Sequence, residues 1–274
     1  MEQKFIDLFD RFTHGGMNRR DFMERLAAMA GSTAAAMPIL SLLENNYAHA
    51  ETVPEGDKRL KTGMQVVGIN GYLAEPVDGK AGSAVIVIHE NRGLNAHIKD
   101  VARRMALEGF WTFAPDYLSG LGGTPGDADK ARDMIGTLKA EEVTAMSRKV
   151  LAATGKPTGA VGFCWGGGQV NALAVADPKL KAGVAYYGMQ PKAEDVPKIV
   201  SPLLLHYAGL DERIDAGIPA FEAALKANHK AYELYMYDGV NHAFNNDTNA
   251  ARYNKDAADL AWKRTVAFLR KYVT

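Results

Sequence analysis

The one cysteine of the chain stands in Val161-Gly162-Phe163-Cys164-Trp165-Gly166-Gly167-Gly168. An apolar run from Thr158 to Phe163 leads into it, and a glycine cluster then opens the helical stretch Gln169 to Ala176. This reads as strand, sharp turn and helix, with the Gly-x-nucleophile-x-Gly spacing of a nucleophile elbow. Neighbours of a nucleophile on so tight a turn must lack a Cβ that would strike the facing strand or helix. The turn also sets the thiol at a helix N-terminus, where unpaired N–H groups and the helix dipole favour the thiolate. A lone cysteine in an apolar stretch is more often inert, so the assignment depends on an acid and a base elsewhere. A phosphate-binding loop is disfavoured, because Gly-x-Gly-x-x-Gly is not matched and no Lys-Ser/Thr follows the glycines.

Two later strand ends supply the partners. The strand Pro202 to Tyr207 runs into Ala208-Gly209-Leu210-Asp211, and the strand Tyr232 to Tyr237 into Asp238-Gly239-Val240-Asn241-His242. Nucleophile, acid and base then follow in the chain order of α/β-hydrolases. Asp215 and Asp238 are rival acids; Asp211 is preferred because it follows its strand after a short glycine-containing turn. His89, His97 and His206 are rival bases. His89 ends the strand beside that of the elbow and is expected behind the site, while His206 lies inside an apolar strand and reads as a core histidine. No His-Glu-x-x-His or paired-cysteine spacing points to a metal, and no cofactor is expected.

These residues need a sheet to hold them. From Glu51 onward strand and helix alternate. A hairpin is expected around Asn70-Gly71, joining Met64–Ile69 to Gly71–Pro76. Ala84 to Ile88 is a β-branched run suited to a strand buried on both faces. A helix follows over His97 to Glu108, then a strand over Trp111 to Ala114, a glycine-rich loop, and a helix from Asp127 to Ala153. After the elbow come a strand at Ala182–Tyr187, a helix over Ala216–Asn228 and a last helix from about Ala250 to Tyr272. The pattern predicts an α/β-hydrolase fold, a doubly wound, mainly parallel sheet flanked by helices, over residues 51–274.

Composition narrows the partners. Lys+Arg 32 equals Asp+Glu 32 in 274 residues, so no net field recruits nucleic acid or acidic membranes. Residues 1–50 are expected to be an export signal. Asn18-Arg19-Arg20-Asp21-Phe22-Met23, a weakly apolar stretch Leu26 to Leu43 and Ala48-His49-Ala50 resemble a twin-arginine signal with cleavage near Ala50. That predicts the twin-arginine export machinery as a partner of the precursor and a periplasmic or otherwise exported protein. Pro38, the Gly31-Ser32-Thr33 interruption and Glu44 argue against a membrane span. Residues 4–12 have apolar side chains at helical spacing and are expected to form a transient amphipathic turn without a function. One cysteine allows no intrachain disulfide, so the core alone must hold the domain.

From about Thr62 to Tyr272 the chain resembles the dienelactone hydrolases, α/β-hydrolases with a Cys-Asp-His triad. The resemblance is carried by His89-Glu90-Asn91-Arg92-Gly93-Leu94-Asn95, Ala114-Pro115-Asp116-Tyr117-Leu118-Ser119, Gly162 to Gly167, Ala185-Tyr186-Tyr187-Gly188 and Asn241-His242-Ala243-Phe244. It implies Cys164 as nucleophile, His242 as base, Asp211 as its orienter and Glu90 as the carboxylate controlling thiol ionisation. It further implies an oxyanion hole from the backbone N–H groups of Asn91 and Trp165. Tyr117, Tyr187 and Phe244 in the matched stretches are candidates for contact with a lactone, enol ester or related activated ester. Family members acting on dienelactone hold its carboxylate with arginines, one shortly after the catalytic histidine. Here Asn245 and Asn246 follow His242-Ala243-Phe244, leaving Arg92 or Arg132 as candidate substitutes. A general carboxylesterase or thioesterase on the same scaffold, and a non-catalytic or redox-sensing thiol protein, are the alternatives.

Overall fold

A computed structural model describes residues 1–47 and 51–274. Eight strands form one sheet: β1 (Leu60–Val67), β2 (Ile69–Pro76), β3 (Ala84–Ile88), β4 (Trp111–Pro115), β5 (Thr158–Phe163), β6 (Ala182–Tyr186), β7 (Leu203–Ala208) and β8 (Tyr232–Tyr237). Their spatial order is β1-β2-β4-β3-β5-β6-β7-β8. β3 to β8 run parallel, while β1 and β2 add an antiparallel edge. β3, β5, β6 and β7 are buried along their whole length, because helices cover both faces of a parallel sheet. α4 (Ala96–Leu107) and α10 (Lys255–Tyr272) close one face. α6 (Ala140–Ala153), α7 (Trp165–Ala176) and α9 (Ile218–Ala227) close the other. The expected α/β-hydrolase architecture is present.

Several boundaries differ from expectation for identifiable reasons. The edge hairpin turns at Gly68, with Val67 facing Ile69, rather than at Asn70-Gly71. Gly68 has φ 75, which a side chain would strain. Gly71 instead lies inside β2 against β4, where a Cβ would come within 2.4 Å of the Phe113 ring and 2.5 Å of the Ala114 carbonyl. The single helix expected over Asp127–Ala153 is two, α5 (Ala128–Gly136) and α6, separated at Gly136-Thr137, since glycine weakens a helix interior. The last helix starts at Lys255, capped by the Asn254 side chain, and the residues before it form turns around the histidine loop.

The largest difference lies at the N-terminus. Residues 4–12 are not a transient turn: α1 (Gln3–Thr13), α2 (Arg19–Ala30) and α3 (Thr33–Leu43) fold together. Asn18 and Ser32 cap α2 and α3. Phe5, Ile6, Leu8, Phe9, Phe12, Phe22, Leu26, Leu40 and Leu43 are buried in a core of their own that Ala251 joins from the α/β domain. The Phe12 and Phe22 rings stack at 4.5 Å. Polar contacts seat the helices on the domain. Gln3 donates to Asn241, Asn91 Nδ2 to the Thr13 carbonyl at 2.8 Å, and Asn249 Nδ2 to the Leu43 carbonyl. Of the paired arginines, Arg19 meets Glu44 at 3.2 Å and also Asp129, and Arg20 meets Glu24 at 3.0 Å. The expected cleavage stretch Ala48-His49-Ala50 lies outside the described residues. Among the described residues no single helix is long and apolar enough to cross a membrane.

Candidate active site

Cys164 sits between β5 and α7 with φ 55 and ψ −116, a strained backbone for a residue with a side chain. The flanking glycines make the turn possible. A Cβ on Gly162 would lie 2.2 Å from the Gly166 carbonyl oxygen, and one on Gly166 would lie 2.4 Å from that of Ile88. The elbow is thus wedged between its own helix and the end of β3. Cys164 N–H donates to the Tyr186 carbonyl at 3.0 Å, tying the turn to β6. Trp165 opens α7, so its N–H has no acceptor within the helix. That leaves it able to face a developing oxyanion.

The expected acid and base meet above the sheet. Asp211 follows β7 and caps α8 (Glu212–Asp215). Its Oδ2 accepts from His242 Nδ1, with both side chains buried. This bond fixes the ring so that Nε2 is the nitrogen left for the thiol. A ring nitrogen of His242, Cys164 Sγ and a ring nitrogen of His14 all lie within 4.8 Å of one another, with His14 Nε2 at 3.3 Å from Sγ. Burial works against a charged His242, but the Asp211 carboxylate and the Cys164 thiolate raise its pKa well above the ordinary histidine value. For Cys164, burial pushes the thiol up, yet the charges of His242 and His14 outweigh this and bring it down to about 6.

The rivals are placed elsewhere. Asp238 is exposed. Asp215 is pushed up to about 6 by burial and by the Asp211 charge beside it, and it makes no bond to His242. His206 is a satisfied core residue between Tyr237 at 3.0 Å and Thr265 at 3.2 Å; burial and Arg264 lower it to about 3. His97 pairs with Asp247 at 3.1 Å. His89 stacks on Trp165 with 5.2 Å between ring centres and so supports the elbow from behind, as expected.

Other expected site residues divide. A cavity of about 550 Å³ opens on Cys164 and is lined by Thr13, His14, Asn91, Arg132, Ile135, Trp165, Tyr187, Met189, Arg213, Ile214 and His242 among others. Tyr187 and Arg132 are therefore at the site. Tyr117 is not, because its hydroxyl bonds Ser147 at 2.8 Å in the core beneath. Phe244 is also core, packed on Tyr187 and Tyr237. Arg92 lies outside the cavity, with its guanidinium over the Phe9 ring at 6.0 Å and 3.8 Å from Asp129. Glu90 is buried and accepts from Asn246 Nδ2 at 2.7 Å; no hydrogen bond joins it to Cys164. Asn246, at the position where the resemblance leads one to seek an arginine, thus faces Glu90. A larger groove of about 1220 Å³ between the N-terminal helices and α5 holds none of the triad.

Sequence reasoning missed His14, Asp10 and Arg213. His14 ends α1 and reaches Cys164, from a position 150 residues away that no spacing rule links to the elbow. The only signal was the three phenylalanines at helical spacing in residues 4–12, which marked a face needing a partner.

Residues 69–273 match the family model described as dienelactone hydrolase family, and residues 1–31 match a separate one described as YqhI-like. A Saccharolobus solfataricus protein provisionally named carboxymethylenebutenolidase is 34% identical over 245 residues, 74% of this chain and 94% of its own. Protein usf of Aquifex pyrophilus is 34% identical over 223 residues, 76% of this chain and 95% of its own. A Klebsiella pneumoniae crystal structure provisionally named dienelactone hydrolase superposes with a TM-score of 0.71 at 27% identity, covering 78% of this chain and 99% of that one. The chain is a hydrolase of the α/β-hydrolase fold and belongs to the dienelactone hydrolase family.

Proposed function

We propose that the protein hydrolyses lactones, enol esters or related activated carboxylic esters through a thioester on Cys164, with no cofactor. The thiolate attacks the carbonyl carbon, and the backbone N–H groups of Asn91 and Trp165 hold the tetrahedral oxyanion, each worth roughly 3 kcal/mol in comparable sites. Collapse expels the leaving oxygen, which takes a proton from His242. His242 then draws a proton from water, the hydroxide attacks the thioester, and the thiolate leaves. Asp211 keeps the imidazole in the tautomer and orientation that both steps require.

The observation that most supports this is the buried Asp211–His242 bond aimed at a thiol brought to about 6, beside a cavity sized for a small ester. A thiolate of low basicity suits substrates with good leaving groups. The test is a panel of lactones, enol esters, simple esters and acyl thioesters, assayed with the wild-type chain and Cys164→Ala. Turnover of activated esters that vanishes in the variant supports the reading. A uniform preference for acyl thioesters would move it to a thioesterase, and unimpaired Cys164→Ala would remove it.

Localisation is a separate proposal. The Arg19-Arg20 pair supports passage by the twin-arginine route, which carries folded chains. The packing of residues 5–43 on the domain supports a working form that keeps this segment. Export should fail when both arginines become lysine. The intact mass of the protein from its host decides whether residues 1–50 are retained.

A further inference from the structure

Two imidazoles lie close to Cys164, one more than the triad needs. His14 Nε2 lies 3.3 Å from Sγ, and its ring packs edge-on to that of His242 with centres 4.8 Å apart. The other nitrogen of His14 is also held by an aspartate, here by hydrogen bond to its main-chain carbonyl with the carboxylate close by. Its Nδ1 is 2.8 Å from the Asp10 carbonyl and 3.1 Å from the Asp10 carboxylate. Asp10 is itself set between Arg213 at 3.5 Å and Arg252 at 4.0 Å. With Nδ1–H donated to Asp10, Nε2 is the nitrogen that faces the sulfur. The nucleophile therefore faces two adjoining Asp–His pairs, one from the hydrolase domain and one from α1.

We propose that His14, braced by Asp10, is a second imidazole of the active site, and that the N-terminal helices are consequently a working part of the hydrolase. This rests on reading Cys164 as the nucleophile. His14 Nε2 donates to the thiolate beside His242, so that two imidazoles stabilise the negative charge on Sγ in the resting enzyme. His242 keeps both of its parts, giving its proton to the leaving oxygen and then taking one from water, while His14 holds the thiolate. Burial disfavours a charged His14, while the Cys164 thiolate and Asp10 raise its pKa, consistent with donation to the sulfur. His14 also stands at the cavity wall, so it confines the approach of the acyl group to the remaining side.

The experiment uses the full chain, in which Cys164 is the only thiol and iodoacetamide consequently reads that residue alone. Alkylation rate against pH is measured for wild type, His14→Ala, His14→Gln and Asp10→Asn, beside kcat/KM for an activated phenyl ester over the same range. The wild-type alkylation midpoint is expected near pH 6. In both His14 variants it should move up by a unit or more, with kcat/KM near pH 6.5 falling at least tenfold and recovering in part as pH rises. Asp10→Asn should shift it in the same direction by less, and added imidazole should restore part of the rate to His14→Ala but none to His14→Gln. A wild-type midpoint and rate in a folded His14→Ala protein overturns the proposal, as does a host-derived enzyme that is active without residues 1–50. Loss of the nucleophile reading is distinguishable, because it requires activity to survive Cys164→Ala.

Discussion

Cys164 holds a backbone conformation, φ 55, that its surroundings enforce and that no relaxed loop would choose. Its replacement by alanine should leave the fold intact and abolish ester turnover, a loss of roughly 10³-fold or more. His242→Ala should approach the same loss and Asp211→Asn should fall short of it, each read as kcat/KM with circular dichroism confirming folding. Gly166→Ala tests the turn itself. Its new methyl group would meet backbone carbonyls of Ile88 and His89 at 2.4 and 2.5 Å, atoms that cannot swing aside. Both thermal stability and activity should drop, whereas Gly120→Ala, with open space around it, should alter neither. For wild type, thiolate content rises as pH passes about 6, so the acid limb of kcat/KM should fall off below that value.

At the scale of elements, α1 decides how charge is distributed around the site. The guanidinium groups of Arg92 and Arg252 lie over Phe9, and that of Arg132 lies over Phe12 at 4.5 Å. Arg132 also pairs with Asp129 at 3.2 Å and Asp133 at 2.8 Å. Of the basic side chains lining the cavity, Arg132 and Arg213 are thus already countered by carboxylates. Selectivity for an anionic lactone over its neutral methyl ester should accordingly stay under about a hundredfold, equivalent to roughly 2.7 kcal/mol. A larger preference that collapses in Arg132→Ala or Arg213→Ala would assign the carboxylate contact to that residue. The aromatic core of the helices can be tested directly. Phe12→Ala empties a fully buried site stacked on Phe22 and should cost about 3–5 kcal/mol. Proteolysis within residues 1–43 should rise in this variant before the hydrolase domain unfolds.

At the scale of the whole molecule, the hydrolase domain was legible because each signal was local. β-branched runs marked the buried strands, and Gly162 and Gly166 marked the elbow. Asp211 and His242 could be ordered because each closes a strand. The turn at Gly68 was misplaced because Asn70-Gly71 is a stronger hairpin dipeptide, while close approach to β4 had claimed Gly71. Tyr117, Phe244 and Arg92 lie near the site in sequence, yet only tertiary packing decides which face a side chain takes. His14 was beyond reach for the same reason, since nothing local joins α1 to the elbow. Docking of α1 should depend on pH through Asp10. Burial raises its pKa, but His14, His242 and Arg252 more than offset this and hold the carboxyl below the usual range. A depressed folded-state pKa contributes stability above the unfolded value of about 3.9 and loses it as pH falls. Hydrogen exchange in α1 should therefore accelerate below about pH 4, and an Asp10→Asn chain should show a flatter response.

The three guanidinium groups over Phe9 and Phe12 carry one more consequence. While the helices are seated, the aromatic faces and neighbouring carboxylates absorb much of the positive potential at the rim of the site. A chain with these helices lifted away would release Arg213 and Arg252 from Asp10, while Asp129 and Asp133 would stay beside Arg92 and Arg132, and the added positive field would weaken as ionic strength rises. Asp10 thus does more than brace a histidine: it also holds down the positive potential of Arg213 at the mouth of the cavity.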